Sequence, residues 1–139
     1  MRIAAISLLL LGSSTCFADV EGCSDGNTCF LREPEYTGDI KLFCIQAPEL
    51  NEPFGIEARD ALHVEVRGTI SVLMVSIGKG WKPIAELIRD DGLNLGLELV
   101  RHGLARVPKA CNEVVYRLAE TEAIKASLGL WQSQGDESK

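Results

Sequence analysis

The sequence predicts a small α+β domain, or a barrel with helices packed on it. Strand-like segments come first with one helix among them, and two helices follow late in the chain. No internal repeat, low-complexity tract or linker interrupts this order. The sequence therefore favours one domain with a modest core.

The strand predictions rest on runs of β-branched and apolar residues that end at turn residues. Within the second run, Leu42 and Cys44 are expected on one face and Lys41 and Phe43 on the other, because side chains alternate along a strand. The predicted strands cover four segments, which are 29–31, 40–45, 69–77 and 83–88.

Three helices are predicted from apolar residues that recur at helical spacing and from residues typical of helix ends. The first helix opens at Pro53 and runs through Leu62, and Gly103 is expected to cap the second. The spaced residues are Leu93, Leu97, Val100 and Leu104 in the second helix, and Tyr116, Ala119, Ala123 and Ala126 in the last.

Residues 1–18 predict a signal peptide. Arg2 supplies a positive start, residues 3–11 are apolar, and the end of the segment fits a cleavage site with small residues at its first and last positions. The apolar stretch is too short to span a membrane. We expect cleavage after Ala18. Lipid attachment at Cys16 is a weaker alternative.

The expected organisation is therefore a signal peptide, a domain at 19–131 and a polar tail at 132–139, located in the periplasm or outside a bacterial cell. The whole chain has 14 basic and 20 acidic residues. Removal of Arg2 with the signal leaves a net charge of −7. An acidic domain does not attract phosphate backbones over long range, so nucleic acid is a disfavoured partner.

Four cysteines would remain after cleavage, and an even number in an exported chain indicates two disulfides. Cys23 and Cys29 flank a turn-like segment and could face each other across a hairpin. The pairing then left is Cys44 with Cys111, whose loop closure would contribute roughly 4 kcal/mol in the chain-entropy treatment. Three pairings are possible in principle, and four buried thiols are the alternative.

Six segments, in order along the chain, resemble the staphylococcal nuclease (thermonuclease) family. Asp25-Gly26-Asn27-Thr28 resembles the family's Asp-Gly-Asp-Thr turn, and Lys41 to Glu49 resembles a strand that begins with Arg and ends Asp-x-Pro-Glu. The further matching segments are 53–58, 82–87, 92–105 and 119–131. The resemblance implies a five-stranded OB-fold barrel with about three helices.

The family's chemistry is calcium-assisted phosphodiester cleavage. Two aspartates hold Ca²⁺, a glutamate acts on the attacking water, and two arginines grip the phosphate. Calcium needs several hard, preferably anionic oxygens. Arginine binds phosphate oxygens bidentately, which lysine cannot do.

This chain departs from that pattern at four of five positions. Asn27 and Gln46 stand where the family has its aspartates, and Lys41 and Lys82 stand where it has its arginines. Only Glu49 is unchanged. Losing anionic ligands weakens a calcium site, and losing guanidiniums removes charge stabilisation from the transition state. We therefore expect an inactive or very weak enzyme that binds an unknown protein or polymer without a cofactor.

The alternative is an active metal-dependent nuclease that uses Glu49, with calcium or another cation. On the first interpretation, Glu49 forms a solvated ion pair with Lys41 or Lys82. Asp25 is expected mainly to shape its turn. Trp81 lies in a small basic-aromatic patch that could contact a polyanion or cover the barrel. His63 and His102 are expected in surface or packing roles, because neither shows metal-ligand spacing.

Overall fold

The structure is a computed structural model that describes residues 17–132. Most of the predicted signal peptide, residues 1–16, and most of the predicted tail, residues 133–139, lie outside the described residues. The elements in chain order are strands β1 (Asp19–Cys23), β2 (Thr28–Arg32) and β3 (Thr37–Leu42), helix α1 (Gly55–Glu65), strands β4 (Ile70–Ile77) and β5 (Pro83–Arg89), and helices α2 (Leu95–Arg101) and α3 (Val114–Lys125). The predicted α+β fold class, with five strands and three helices, is confirmed.

The five strands form one sheet in the order β1-β2-β3-β5-β4. The β3–β5 pair is parallel, and the other neighbours are antiparallel. The main-chain N–H of Ala18 donates to the carbonyl of Ile70 at 2.9 Å. This single bridge joins the start of β1 to the start of β4 and closes the sheet into a barrel.

The core lies between the barrel and the helices. Ile40 of β3 and Leu87 of β5 are completely buried, and Leu62 of α1 and Val100 of α2 pack into the same apolar cluster. In α3 the buried stripe consists of Tyr116, Ala119 and Ala123. The predicted stripe extends one turn too far, because Ala126 caps the helix and is exposed.

Two strand predictions differ from the structure. β1 has no predicted counterpart, because its sequence DVEGC is polar and contains glycine; it forms by pairing with β2. β3 ends at Leu42, so the prediction that Leu42 and Cys44 share a strand face is wrong. The chain turns at Phe43 and Cys44, and Cys44 has a positive φ of 62°.

Two disulfides fix the ends of these segments. Cys23 and Cys29 face each other across β1 and β2, with Cα atoms 3.9 Å apart. Cys44 bonds to Cys111 over a separation of 67 residues, with Cα atoms 5.5 Å apart. Both pairs are those that the sequence predicts. Disulfides of this kind are compatible with an oxidising, extracytoplasmic compartment.

None of the helices within residues 17–132 combines the length and apolar character that crossing a membrane requires.

Candidate active site

The loops at one end of the barrel form an open depression of about 550 Å³. It lies between the β1–β2 turn and the loop that joins β3 to α1, and is lined by Ser24, Asp25, Asn27, Glu49, Leu50 and Asn51. The structure therefore brings together three of the residues that the sequence singled out, Asp25, Asn27 and Glu49. Glu49 lies on the loop seven residues beyond the end of β3, not at the end of the strand.

The β1–β2 turn is shaped by its own side chain. A carboxylate oxygen of Asp25 accepts from the main-chain N–H of Asn27 at 2.8 Å, which is the local bond that aspartate commonly makes in turns. Gly26 packs tightly behind the turn. A Cβ there would lie 2.6 Å from the Cβ of Ala47 and 2.8 Å from that of Ala58, so only glycine fits.

The side-chain amide of Asn27 both accepts a hydrogen bond from the neighbouring loop and donates one to it. Its Oδ1 accepts from the main-chain N–H of Ala47 at 2.6 Å, and its Nδ2 donates to the carbonyl of Ala47 at 3.1 Å. An amide offers one acceptor and one donor group, whereas a carboxylate offers only acceptors. Asparagine therefore suits this two-way contact, and aspartate could not make both bonds.

Gln46 lies beside the depression but does not line it. Its main chain exchanges two hydrogen bonds of 2.8 Å with Arg106, and the residue is exposed. It lines a separate groove of about 540 Å³, together with Phe54 and Arg106. The guanidinium of Arg106 lies over the ring of Trp131, 4.4 Å from its centroid.

Lys41 lies on strand β3, and Lys82 immediately precedes strand β5. Lys41 is exposed in β3, where it pairs with Thr28 and Ile84 in the sheet register. The Nζ of Lys82 lies 3.7 Å from a carboxylate oxygen of Asp39. Both side chains are about half exposed, so this ion pair contributes little to stability.

The expected ion pair between Glu49 and Lys41 or Lys82 is not formed, because within residues 17–132 no basic group lies within 4.0 Å of the Glu49 carboxylate. The register explains the observed partner. Lys41 pairs with Ile84 in the parallel β3–β5 ladder, and extending this register places Asp39 beside Lys82.

The late loop at 107–111 is tied to α3 by Arg117, a residue that the sequence analysis missed. The guanidinium donates to the carbonyls of Pro108 at 2.7 Å, Cys111 at 2.9 Å and Lys109 at 3.1 Å. No motif marks such an arginine, since its partners are main-chain atoms. This loop is therefore held both by Arg117 and by the disulfide of Cys111.

A second missed set is a partly buried polar cluster away from the depression. The hydroxyl of Tyr116 donates to Glu86 at 2.8 Å, and the amide of Asn94 donates to the same carboxylate oxygen at 3.0 Å. Burial, followed by the bond to Glu86, raises the pKa of Tyr116 well above its ordinary value. Asn94 also caps α2 by accepting from Leu97, so the cluster joins β5, α2 and α3.

The remaining candidates do not form a metal centre. His63 accepts from the main-chain N–H of Cys23 at 3.2 Å, and Nδ1 of His102 lies 2.8 Å from the carbonyl of Glu98. Among residues 17–132, no three His, Cys, Asp or Glu side chains are grouped to hold a metal ion. Trp81 is 85% exposed, so it does not cover the barrel.

The five-stranded sheet with three helices is an α+β fold of the OB-like class. The family model described as staphylococcal nuclease homologue matches residues 39–133, more than half of the chain. The chain therefore belongs to this family. The matched range includes Lys41, Gln46, Glu49 and Lys82 but begins after the Asp25–Asn27 turn. No curated protein matches the sequence.

Proposed function

We propose that this protein is an exported member of the staphylococcal nuclease family that binds a partner and has lost most or all phosphodiesterase activity. The observation that carries the proposal is the pair of hydrogen bonds between the Asn27 side-chain amide and the main chain of Ala47. The side chain at this family ligand position holds a loop, and its oxygen already has a donor.

The oxygens around Glu49 do not fit the family's calcium site. Calcium takes about six to eight oxygen ligands, several of them anionic in tight sites. Among residues 17–132, the carboxylates that line the depression are those of Asp25 and Glu49, and Asp25 already accepts from Asn27. Gln46 lines the neighbouring groove. No catalytic step is therefore assigned to calcium.

Phosphate binding at Lys41 and Lys82 should also be weaker than at the arginines of the family. Lysine presents a point charge in place of the planar fork of a guanidinium. The ammonium of Lys82 additionally has the Asp39 carboxylate as a neighbour at 3.7 Å, which would compete with a phosphate. These features support weak ground-state contact with an anion and poor stabilisation of a developing charge.

Export is supported by the predicted signal peptide and by the two disulfides. The formal net charge of the whole chain is −6, which disfavours long-range attraction of nucleic acid. The bound partner would therefore be a protein or another polymer, held on a barrel of a type that serves many unrelated binding functions.

The test combines calcium titration by calorimetry with cleavage of single-stranded DNA by the oxidised protein in the same buffer. We expect no heat of calcium binding, and no cleavage above that of a matched Glu49→Gln variant. Calcium-dependent cleavage that disappears in Glu49→Gln would overturn the proposal.

A second function is favoured by one observation, the presence of two carboxylates, Asp25 and Glu49, in one open depression. In this alternative a metal-dependent endonuclease or phosphodiesterase acts on DNA or RNA, with Glu49 as the base and Lys41 and Lys82 as point charges on phosphate. A cleavage screen with Mg²⁺, Mn²⁺ and Ca²⁺ distinguishes the two functions. Activity with any of these ions, lost in Glu49→Gln, would favour the alternative.

A further inference from the structure

The loop that joins β3 to α1 lines two separate hollows. The middle of the loop, residues 49–51, lines the depression around Glu49, whereas residues 46–48 and 52–54 line a groove of about 540 Å³. The other residues that line the groove are Arg106, Gly129, Leu130 and Gln132. A ligand in the groove would therefore touch the loop that carries Glu49 without entering the depression.

The groove combines apolar walls with a few polar groups, and its volume is typical of sites that bind small ligands or the end of a peptide. Gln46 and Gln132 contribute amides, Arg106 contributes a cation and Glu52 a carboxylate. The apolar part consists of Ala47, Pro48, Pro53, Phe54 and Leu130.

Arg106 is held in place by two independent contacts. Its main chain exchanges two hydrogen bonds of 2.8 Å with Gln46. Its guanidinium stacks over the ring of Trp131, and Trp131 is itself only 6% exposed. A cation that is positioned before a ligand arrives loses little conformational freedom on binding.

The stacked guanidinium keeps its N–H edge available. Stacking uses the flat face, whereas the N–H donors lie in the plane of the group. Within residues 17–132, no carboxylate lies within 4.0 Å of the Arg106 guanidinium. By contrast, the arginines that pair with a carboxylate in the described chain are Arg32, Arg59, Arg89, Arg101 and Arg117. Arg106 is thus free to bind a carboxylate bidentately.

An aromatic residue in an unusual conformation lines the same groove. Phe54 has φ 67° and ψ 3°, in the left-handed region, which is costly for a bulky side chain. The next residue, Gly55, packs against the loop so closely that a Cβ would lie 1.8 Å from the carbonyl oxygen of Glu49. Strain of this kind concentrates where the position of a side chain matters for binding.

We propose that this groove binds the free carboxyl terminus of a partner peptide whose last residue is apolar. The inference rests on the proposed partner-binding function and names its surface. The carboxylate lies against the N–H edge of Arg106, and the apolar side chain packs on Pro53 and Phe54. In such a residue the charged and the apolar group are adjacent, so both fit one groove.

A carboxylate suits the groove better than a phosphate group. Glu52 also lines the groove, and the whole chain has a formal charge of −6. Both oppose an anion, and they oppose a phosphate group of nearly two charges more than a carboxylate of one. Arg106 and Glu52 should therefore affect binding in opposite directions.

The two tryptophans of the chain provide a direct assay. Trp131 lies under Arg106, and Trp81, which is 85% exposed, serves as an internal control. N-acetyl-phenylalanine is titrated into the oxidised, ¹⁵N-labelled protein, and the indole N–H signals are followed by NMR. We expect the Trp131 signal to shift with a roughly millimolar dissociation constant. N-acetyl-phenylalanine amide should bind about tenfold more weakly or worse, and phenyl phosphate no more tightly than the acid.

Three variants locate the interaction. Arg106→Gln should weaken binding of the acid about tenfold or more, because the bidentate contact is lost. Arg67→Gln is the matched control, since Arg67 is exposed and likewise has no carboxylate within 4.0 Å in residues 17–132. Glu52→Gln, which leaves the Arg106–Trp131 stack intact, should tighten binding by up to about threefold.

Several results would overturn the proposal. These are no binding, equal affinity for the acid and the amide, tighter binding of phenyl phosphate, or equal effects of Arg106→Gln and Arg67→Gln. The chain continues beyond Gln132 with two carboxylates, Asp136 and Glu137, which lie outside the described residues. If neutralising both in the full chain shifted the free Trp131 signal and tightened binding about tenfold, the chain's own tail would be the occupant, and a partner peptide would not.

The assay contains neither calcium nor DNA, so it separates this inference from the proposed function. A failed titration would leave the proposed loss of nuclease activity standing. Calcium-dependent cleavage lost in Glu49→Gln but retained in Arg106→Gln would contradict the proposed function, whatever the groove binds.

Discussion

The loops around Glu49 and the outer half of the β4–β5 hairpin (residues 73–82, which we call the arm) are held in opposite ways. The loops are fixed by specific long-range contacts, namely the Asn27–Ala47 bonds, the Gln46–Arg106 bridge and the Cys44–Cys111 disulfide. The arm is held by its ladder with β5, and its apolar side chains face solvent. The loops of the candidate site are thus held by contacts between distant segments, while the apolar side chains of the arm remain exposed.

This difference indicates which substitutions should destabilise the protein most. A residue that joins two distant segments loses contacts on both when it is replaced. A residue on an exposed strand tip loses little in the monomer. Four predictions test this contrast, beginning with the largest expected effect.

Replacing both Cys44 and Cys111 by serine should destabilise the fold by roughly 4 kcal/mol in the chain-entropy treatment, because the bond closes a long loop. The matched change at Cys23 and Cys29 should cost roughly 2 kcal/mol, because that loop is short. Thermal and denaturant unfolding of the oxidised proteins measure both. Equal losses would show that loop length does not govern how much each disulfide stabilises the fold.

Asn27→Asp should destabilise the protein by about 1–3 kcal/mol, because the donor to the Ala47 carbonyl is lost and an acceptor faces an acceptor. Asn51→Asp in the same depression should cost less than about 0.5 kcal/mol, as is usual for exposed positions. Denaturant midpoints at neutral pH give both values. If Asn27→Asp were as stable as the wild type and gained nuclease activity, both the structural role and the proposed loss of function would be wrong.

On the arm, Leu73→Ala should change the free energy of unfolding of the monomer by less than about 0.5 kcal/mol, because its side chain is already exposed. Leu42→Ala, which removes a buried side chain from β3, should cost about 2–5 kcal/mol. Unfolding at low protein concentration, where any association between copies vanishes, separates the two. A large loss in Leu73→Ala under these conditions would mean that the arm packs within the monomer.

The contact between Arg89 and Asp91, at the base of the β4–β5 hairpin, should make the stability of the fold slightly dependent on pH. The hydrogen bond from Arg89 is the main cause that lowers the pKa of Asp91 to about 2. Because this pKa is depressed on folding, the stabilisation is present above the ordinary aspartate pKa and is lost as pH falls from about 4 to about 2. In Arg89→Gln the Asp91 pKa, followed by NMR of the carboxyl carbon, should return towards its ordinary value. An unchanged pKa would assign the shift to the Leu93 main-chain bond.

The sequence by itself determined the fold class and the family, and it predicted which positions depart from the family's site. Long apolar runs predicted β4 and β5, and helical spacing predicted α2 and α3, because burial selects those periods locally. The predicted departures at Asn27, Gln46, Lys41 and Lys82 rest on the same kind of information, because a motif is a local pattern.

Only the tertiary structure decided what those side chains do. The Asn27 amide bonds to Ala47, Lys82 lies beside Asp39 rather than Glu49, and Arg117 binds a loop that no motif links to it. It also decided that β1 forms and that the apolar β4 tip is exposed. Each of these outcomes depends on strand register or on contacts between distant segments. A one-residue change in register moves every side chain to the other face, and local sequence does not specify it.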